Sequence, residues 1–382
     1  MCARLASVAI GNSVSNIAEC AFLQCTELAS VTIPDSVRTI GRAAFCNSDN
    51  MTNVTLGSGV TNVGDYAFGC TGLTAITVNP SNLVYSSVDG VLFNRDQTTL
   101  IQCPAAKAGS YSIPNGTCAI GGNAIASCAN LTSVAIPDSV TNIGDFAFYG
   151  CSGQTGVTIP KSITSIGQEA FSRCTGLTTI AVSAGNPAYS SADGVLFNVA
   201  QSTLITYPAG RTGGYAVSDT VTNIGNAAFL GCSNLTSVTI PGSVTSIAGF
   251  AFVECSNLEA AYFLGDAPLF AHTGGTPVFW GDARATVFYL PNTTGWGSAF
   301  VSAVLWNPQI QTTAASFGLG TNGFGFTITG TANIPIVIEA CTNLANPIWS
   351  PVRTSTLTGG SSYFRDPQWT NYPTRFYRIR WP

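Results

Sequence analysis

A repeated phrase along this 382-residue chain constrains its fold more strongly than any other feature of the sequence. One copy reads LTSVAIPDSVTNIGDFAFYGC over residues 131–151, and related copies occupy residues 28–45, 73–78 and 235–255. Self-similarity with a period of roughly 20–30 residues is typical of solenoids, in which each coil is one supersecondary unit stacked on its neighbours. The repeat therefore predicts a β-rich solenoid, and it leaves the binding partner open.

Each repeat is expected to begin with a β-strand. Val134 and Ile136 are two positions apart and share one face of a strand, while the residues beside them are small or polar. Pro137 should end the strand, because proline fixes φ and has no N–H for the ladder. One such strand cannot bury its apolar face alone, so neighbouring coils must cover it.

The second half of the repeat has the spacing of a short helix. Its apolar residues predict a helical turn with the apolar side inward, and in one copy they are Val140, Ile143, Ala147, Phe148 and Cys151. Gly144 lies between the two halves, where we expect a tight bend or a close approach of two backbones. The predicted coil is therefore strand, bend, short helix and return.

A longer period indicates that a block of several coils was duplicated. Tyr85 and Tyr189 are 104 residues apart, and so are Asp89 and Asp193. Each pair lies in an insertion that interrupts the repeat, with Asp-Gly between two β-prone runs. Asp-Gly favours the tight turn of a β-hairpin, because that turn needs positive φ at both central residues. We therefore expect two β-hairpin insertions, each a small meander that projects from or covers one edge of the solenoid.

The string L-x-x-V-x-I-P-x-x-V-x-x-I-G-x-x-A-F-x-x-C resembles the leucine-rich repeats of the BspA-like branch, a group of bacterial surface proteins. The resemblance covers residues 5–263 with local departures: Gln154 replaces the leading Leu, Ile125 replaces the Phe, and Phe68-Gly69-Cys70 is one residue short. It implies a repeat scaffold that adheres to host or environmental macromolecules, at the cell surface or outside the cell.

The last third of the chain has a different pattern. Residues 1–264 are expected to form the solenoid and residues 265–308 its C-terminal cap, which would be closed by Trp280, Trp296 and Trp306. Alternating apolar residues separated by turn residues predict a small antiparallel β-sandwich over 309–382. This segment resembles the small C-terminal β-modules of secreted bacterial proteins, through VIEACTNL at 337–344 and RFYR at 375–378.

The low content of charged residues argues against two classes of partner, nucleic acids and anionic membranes. Charged residues make up 8% of the chain, the formal net charge is −4, and Lys107 and Lys161 are the two lysines. A basic surface for nucleic acid or anionic membrane is therefore not expected, and no apolar run of about 18 residues predicts membrane insertion. No signal peptide precedes the first repeat strand, although we expect an extracellular or cell-surface protein, so we expect an N-terminally incomplete gene product.

Thirteen cysteines would suggest disulfides in a secreted chain, but their positions favour free thiols. Seven of them close a repeat and should form a buried ladder of small apolar groups: Cys25, Cys70, Cys128, Cys151, Cys174, Cys232 and Cys255. No C-x-x-C occurs and His272 is the single histidine, so neither a metal site nor a cofactor is expected.

No catalytic motif accompanies the repeats, so we expect a non-catalytic protein that contacts a protein or glycan on another surface, or itself. The candidate contact residues lie on the strand face and in the two insertions: Thr32, Thr55, Thr77, Thr158, Thr239, Tyr85, Asp89, Tyr189 and Asp193. Two alternatives stay open at this point. The chain could be a self-assembling surface or filament subunit, or its threonines could match an ice or carbohydrate lattice.

Overall fold

The structure is a computed structural model that describes residues 2–270, 278–279, 281–282, 284–296, 303–320 and 323–381. The chain divides into two compact units. The first comprises residues 1–259 and 268–285, and the second comprises residues 260–267 and 286–382. The expected division into residues 1–264, 265–308 and 309–382 stays a prediction.

Strands account for most of the regular structure in the first unit. Before the first insertion they are β1 (Asn16–Ile17), β2 (Ser30–Ile33), β3 (Thr39–Ile40), β4 (Asn53–Leu56), β5 (Asn62–Val63) and β6 (Ala75–Val78). The first insertion contains β7 (Tyr85–Val88), β8 (Val91–Asn94) and β9 (Thr99–Gln102). The coils that follow contain β10 (Gly109–Ser112), β11 (Ala119–Ile120), β12 (Leu131–Ala135), β13 (Asn142–Ile143), β14 (Gly156–Ile159), β15 (Ser165–Ile166) and β16 (Thr179–Val182).

The second insertion repeats the arrangement of the first. It contains β17 (Tyr189–Ala192), β18 (Val195–Asn198) and β19 (Thr203–Thr206). The next strands are β20 (Gly213–Ala216), β21 (Asn223–Ile224), β22 (Leu235–Ile240), β23 (Ser246–Ile247), β24 (Ala260–Phe263) and β25 (Leu269–Phe270). Of these, β24 belongs to the second unit.

Most coils of the first unit therefore carry a long strand and a two-residue strand, and like strands of neighbouring coils pair in parallel within several sheets. The long strands β2, β4 and β6 form one such sheet, and the short strands β1, β3 and β5 form another. Inward residues of the long strands, such as Val31, Val54 and Ile76, are fully or almost fully buried. The predicted strand and its inward face are confirmed.

The predicted short helix is wrong: between residues 2 and 270 the structure contains no helix. Phe146 and Gly150 have positive φ, so the backbone turns twice where a helix would continue. The N–H groups of Phe146 and Phe148 donate to the next coil at 2.9 and 2.8 Å, while those of Tyr149 and Cys151 close local turns. The apolar spacing therefore reflects a segment that alternates between turn bonds and inter-coil bonds.

Close packing of the coils explains the glycine that precedes this segment. A Cβ on Gly144 would lie 2.6 Å from the backbone nitrogen of Gly122 in the preceding coil. The expected close approach of two backbones at this position is confirmed.

A column of stacked rings fills the centre of the coils. Phe148 stacks on Phe171 with ring centroids 5.1 Å apart, and Phe229 stacks on Phe252 at 4.6 Å. All four side chains are buried. Ile125 takes the ring's place in its coil and is also fully buried, so the departure from the repeat leaves the core continuous.

Both insertions are antiparallel meanders, as the Asp-Gly turns predict. In the first, Val88 pairs with Val91 across the turn, where Asp89 has φ of 51° and Gly90 has φ of 76°. The last strand of the meander, β9, then pairs in parallel with the short strand β11. Each meander is therefore built into the short-strand sheet.

The second unit is built from β24 and from strands beyond residue 285. These are β26 (Thr286–Tyr289), β27 (Val304–Leu305), β28 (Gln309–Gln311), β29 (Gly318–Gly320), β30 (Gly323–Thr329), β31 (Pro335–Cys341), β32 (Ser350–Thr356), β33 (Ser361–Asp366) and β34 (Phe376–Arg380). Short 3-10 helices occupy Thr358–Gly360 and Trp369–Asn371. From β28 onward every strand pairing is antiparallel, in a sheet around β30 and a sheet around β31.

One hydrophobic cluster spans this unit. Tyr262, Phe288 and Trp306 pack in it together with Phe326 and Ile338 of the antiparallel sheets. Trp296 contacts the ring of Phe263 and stacks on Tyr289 in the same unit. The expected role of Trp280 falls outside the described residues.

The alternating arginines of β34 have a partner that the sequence did not reveal. Glu339 of the neighbouring strand is 4% exposed, and its carboxylate pairs with Arg378 at 2.7 Å and with Arg380 at 2.6 Å. The pKa of Glu339 is lowered even though burial acts to raise it, because hydrogen bonds from Arg380 and Arg378 outweigh that effect.

Candidate binding surface

The strand face of the first coils presents a row of threonines in register. Thr32 pairs with Thr55, and Thr55 pairs with Thr77, across three adjacent parallel strands. Their hydroxyls point outward because the alternating neighbours, such as Val31 and Val54, point into the core. This row is the most regular part of the predicted binding surface.

The row does not continue along the later coils. Thr158 lies opposite Ala181, and Thr239 lies opposite Ala216. A regular hydroxyl lattice over the whole strand face is therefore absent from these paired strands. The structure brings three of the five predicted threonines together and separates the other two.

A polar cleft adjoins the threonine row where the strands end. It has a volume of about 620 Å³, and its lining includes Thr32, Thr55, Asn12, Asp35 and Asn79. We define these five residues, with Thr77, as the row-and-cleft surface. The sequence does not single out Asn12 and Asn79, because asparagine beside a strand end is most simply explained as a turn residue.

Asp35 is an exposed residue of the cleft lining whose carboxylate is held by hydrogen bonds. Its Oδ1 accepts a hydrogen bond from the N–H of Ser58 at 2.5 Å, and the Asn79 amide lies 3.5 Å from the same oxygen. The Ser58 bond lowers the pKa of Asp35, so the carboxylate is charged at neutral pH. The cleft thus offers a fixed anionic acceptor among neutral hydroxyl and amide groups.

The two predicted tyrosines are bonded within the fold. The Tyr85 hydroxyl accepts from the N–H of Val63 at 3.1 Å, and the Tyr189 hydroxyl accepts from the N–H of Ile166 at 2.8 Å. Both N–H groups belong to short strands, β5 and β15, at the point where a meander interrupts the coil stack. Each tyrosine therefore takes the place of the next strand in the ladder.

The two predicted aspartates are also engaged within the fold. Asp89 pairs with Lys107 at 2.7 Å, and Asp193 pairs with Arg211 at 2.7 Å. Each cation also lies over a tyrosine ring of its own block. These pairs tie each hairpin turn to the chain that follows the meander, whereas the aspartate side chains themselves remain largely exposed.

The repeat-closing cysteines act as hydrogen-bond donors inside the first unit. The thiols of Cys70, Cys151 and Cys174 donate to backbone carbonyls of the preceding coil at 2.9–3.0 Å. Ser48 takes the same position in its own coil, and its hydroxyl donates to the Phe22 carbonyl at 3.0 Å. All thirteen cysteines are unpaired, and burial raises the pKa of Cys70 to about 12. The position therefore selects a small buried donor with low thiol reactivity.

Two further features bear on chemistry and location. No group of three or more His, Cys, Asp or Glu side chains that could hold a metal occurs among the described residues. The one histidine, His272, lies outside the described residues. Within the described parts of the chain, no helix has the length and apolar character needed to cross a membrane.

Comparison with known proteins identifies the repeats. The family model described as a BspA type leucine rich repeat region matches residues 1–106, 103–210 and 215–267, in six copies. Comparison with curated proteins gives no significant match.

Several solved structures are similar to the chain. A leucine-rich cell surface protein from Faecalibacterium prausnitzii is 26% identical, with a TM-score of 0.47, over 76% of this chain and 81% of that one. The pneumococcal vaccine antigen PcpA is 21% identical, with a TM-score of 0.45, over 75% of this chain and 65% of that one. A leucine-rich repeat protein from Eubacterium ventriosum is 22% identical, with a TM-score of 0.40, over 69% and 67% of the two chains.

The family model covers well over half of the chain, and it coincides with the stacked coils described above. This chain therefore belongs to the BspA-type leucine-rich repeat family.

Proposed function

We propose that this protein is a non-catalytic binding protein of the cell surface, which contacts a protein or glycan through the row-and-cleft surface. The observation that carries the proposal is the unbroken register of Thr32, Thr55 and Thr77 beside a polar cleft. Surface location is supported by family membership and by the low content of charged residues.

The chemistry of this surface suits a polar, weakly charged ligand. Threonine hydroxyls and asparagine amides both donate and accept hydrogen bonds, and the Asp35 carboxylate accepts them. Threonine side chains are short and stiff, so they lose little rotamer freedom when a ligand orders them. The parallel ladder beneath them keeps their spacing fixed, which lowers the entropic cost of binding.

The test is a binding screen with a charge introduced at the centre of the row. Wild-type protein and Thr55→Glu are applied to a printed glycan array and to immobilised collagen, fibronectin and laminin. A carboxylate at this position would be desolvated in the complex without a partner, so we expect about a tenfold or greater loss of binding. Thr164→Glu is the matched control, because Thr164 is exposed but lies outside the row-and-cleft surface.

The proposal is supported if a ligand bound by wild type is lost in Thr55→Glu and retained in Thr164→Glu. Equal binding by both variants would place the contact elsewhere and contradict it. The proposal would also be contradicted if the wild-type protein bound none of the glycans or matrix proteins and assembled in a concentration-dependent way in size-exclusion chromatography. That result would favour the self-assembling subunit.

A further inference from the structure

A cavity of about 360 Å³ opens in the first unit beside the first meander, away from the row-and-cleft surface. Its lining includes Cys46, Asp65, Tyr66, Ile101 and Ala126. This volume is within the range of about 300–1,000 Å³ that is usual for small-ligand sites. We call it the notch cavity.

A side-chain bridge closes part of the rim. The Tyr66 hydroxyl donates to Oδ1 of Asn123 at 2.6 Å, and the two residues are 57 positions apart in sequence. Tyr66 lines the cavity and is 45% exposed, so its side chain is accessible to both the cavity and solvent. The bridge joins the coil before the meander to the coil after it.

The duplicated block has larger side chains at two positions that correspond to the cavity lining. Aligned on the repeat, Tyr149 replaces Cys46, and Leu230 replaces Ala126. The segment Phe68-Gly69-Cys70 of the first block corresponds to Phe171-Ser172-Arg173-Cys174 in the second block. The second block therefore has one additional residue, Arg173. At these positions the first block therefore has two smaller side chains and no arginine.

Arg173 occupies the matching position in the second block. The backbone N–H of Arg173 donates to the Leu230 carbonyl at 3.4 Å, and its guanidinium lies over the Tyr149 ring with 5.6 Å to the ring centroid. A Cβ on Gly231 would lie 2.9 Å from Cγ of Arg173, so the arginine stem packs directly against that glycine. The head group pairs with Glu254. An arginine side chain is thus the internal occupant of the matching position.

From this comparison we propose that the notch cavity binds an arginine side chain of a partner polypeptide. The aliphatic stem would pack on Ile101 and Ala126, while the guanidinium would reach the carboxylate of Asp65. The exposed Tyr66 ring can add a cation–π contact of the kind that Tyr149 makes with Arg173. This site lies outside the row-and-cleft surface, so the inference goes beyond the proposed function.

The charges around the cavity favour a cation. Among the described residues, no ion pair or side-chain hydrogen bond engages the Asp65 carboxylate. Burial raises the pKa of the Tyr66 hydroxyl, and the negative charge of Asp65 acts in the same direction. The positive charge of Arg42 acts to lower the pKa of Tyr66, but Arg42 itself pairs with Glu19 at 3.4 Å. A guanidinium would therefore meet an available carboxylate.

The test uses saturation-transfer difference NMR with N-acetyl-L-arginine methylamide as the probe. N-acetyl-L-citrulline methylamide is the uncharged comparison, since it has nearly the same shape without the positive charge. We expect transfer to the arginine probe, and about tenfold weaker binding of the citrulline probe, because a charge-assisted contact is lost.

Two variants separate the cavity from other sites. Ala126→Leu fills the cavity with the residue found in the second block, and Asp65→Asn removes the charge from an exposed position. Both should weaken arginine binding about tenfold, whereas Asp138→Asn, an exposed aspartate of another coil, should leave it unchanged. Equal transfer to both probes, unchanged binding in Asp65→Asn, or no transfer to wild-type protein would each overturn the proposal.

Discussion

Replacing Phe252 by alanine tests the ring column at its most closely packed point. The side chain is fully buried and is stacked between Phe229, at a centroid distance of 4.6 Å, and Phe279, at 5.1 Å. The coils on both sides are joined by backbone hydrogen bonds, including 2.7 Å from the Phe229 N–H to the Ala251 carbonyl. The space left by the ring therefore cannot close without breaking that ladder.

The expected cost follows from burial and stacking. Removal of a buried phenylalanine side chain costs about 3–5 kcal/mol, and the loss of ring stacks worth about 0.5–1.5 kcal/mol each places a variant higher in that range. Phe252 loses two stacks, so we expect a loss at the upper end, about 5 kcal/mol. Phe148 stacks on Phe171 and has Ile125 in the preceding coil, so Phe148→Ala should cost less, about 3–4 kcal/mol.

Urea and thermal unfolding followed by far-ultraviolet circular dichroism would measure these losses. Phe146→Ala is the matched control, because Phe146 lies in the same coil as Phe148, is partly exposed and has φ of 57°. We expect about 1 kcal/mol or less for this control. A Phe252→Ala variant that is no less stable than Phe146→Ala would refute the placement of the ring column.

Three further predictions concern a buried cysteine, a buried aspartate and the C-terminal strands. The free energy of unfolding of Cys151→Ser should stay within about 1 kcal/mol of wild type, because Ser48 already fills the equivalent position. Cys151→Val should lose more stability, because valine has no hydrogen-bond donor. Parallel urea titrations would compare the two variants. Burial raises the pKa of Asp282 to about 7, so its folded form retains a proton that the unfolded chain releases, and stability should fall by about 2–4 kcal/mol as pH rises from about 4 to about 7. Asp282→Asn should flatten that part of the pH profile, and an unchanged profile would contradict this assignment. Deletion of residues 309–382 should leave the coils of the first unit folded but expose Tyr262 and Trp306. The truncated chain should therefore bind the hydrophobic dye ANS. A folded truncated chain that binds no ANS would argue against the shared hydrophobic cluster.

The repeat pattern predicted the parts of the fold that depend on side-chain burial. Val134 lies on the inward face of β12, as the local alternation predicts, whereas Ile136 lies just beyond the strand and is partly buried. The Asp89-Gly90 turn was equally readable, because its conformation is set by those two residues. Both features need no knowledge of the neighbouring coils.

The helix could not be excluded from sequence, because its apolar spacing is the same as that of the turn segment. The distinction lies in where the backbone N–H groups of Phe146 and Phe148 are satisfied, and their acceptors belong to the next coil. Positive φ at a residue such as Phe146 is also unexpected for a bulky side chain. Contacts between coils therefore override the local preference.

The same limit applies to the candidate surface. The presence of Tyr85 and Asp89 in both blocks predicts a shared contact role, yet their partners, Val63 and Lys107, are distant in sequence and complete the meander. The notch cavity was visible only as a repeat one residue short at Gly69. The comparison with the second block, which has Arg173 in the matching position, is what suggests an arginine ligand.

The account holds that stacked rings and buried hydrogen-bond donors, without covalent links, keep the coils together. Counting free thiols on the non-reduced protein in denaturant tests this most directly. We predict thirteen reactive thiols, as in the structure, and no change in the unfolding midpoint when a reductant is added. Fewer reactive thiols, with a midpoint that falls on reduction as expected when a disulfide worth about 2–4 kcal/mol is lost, would contradict the account.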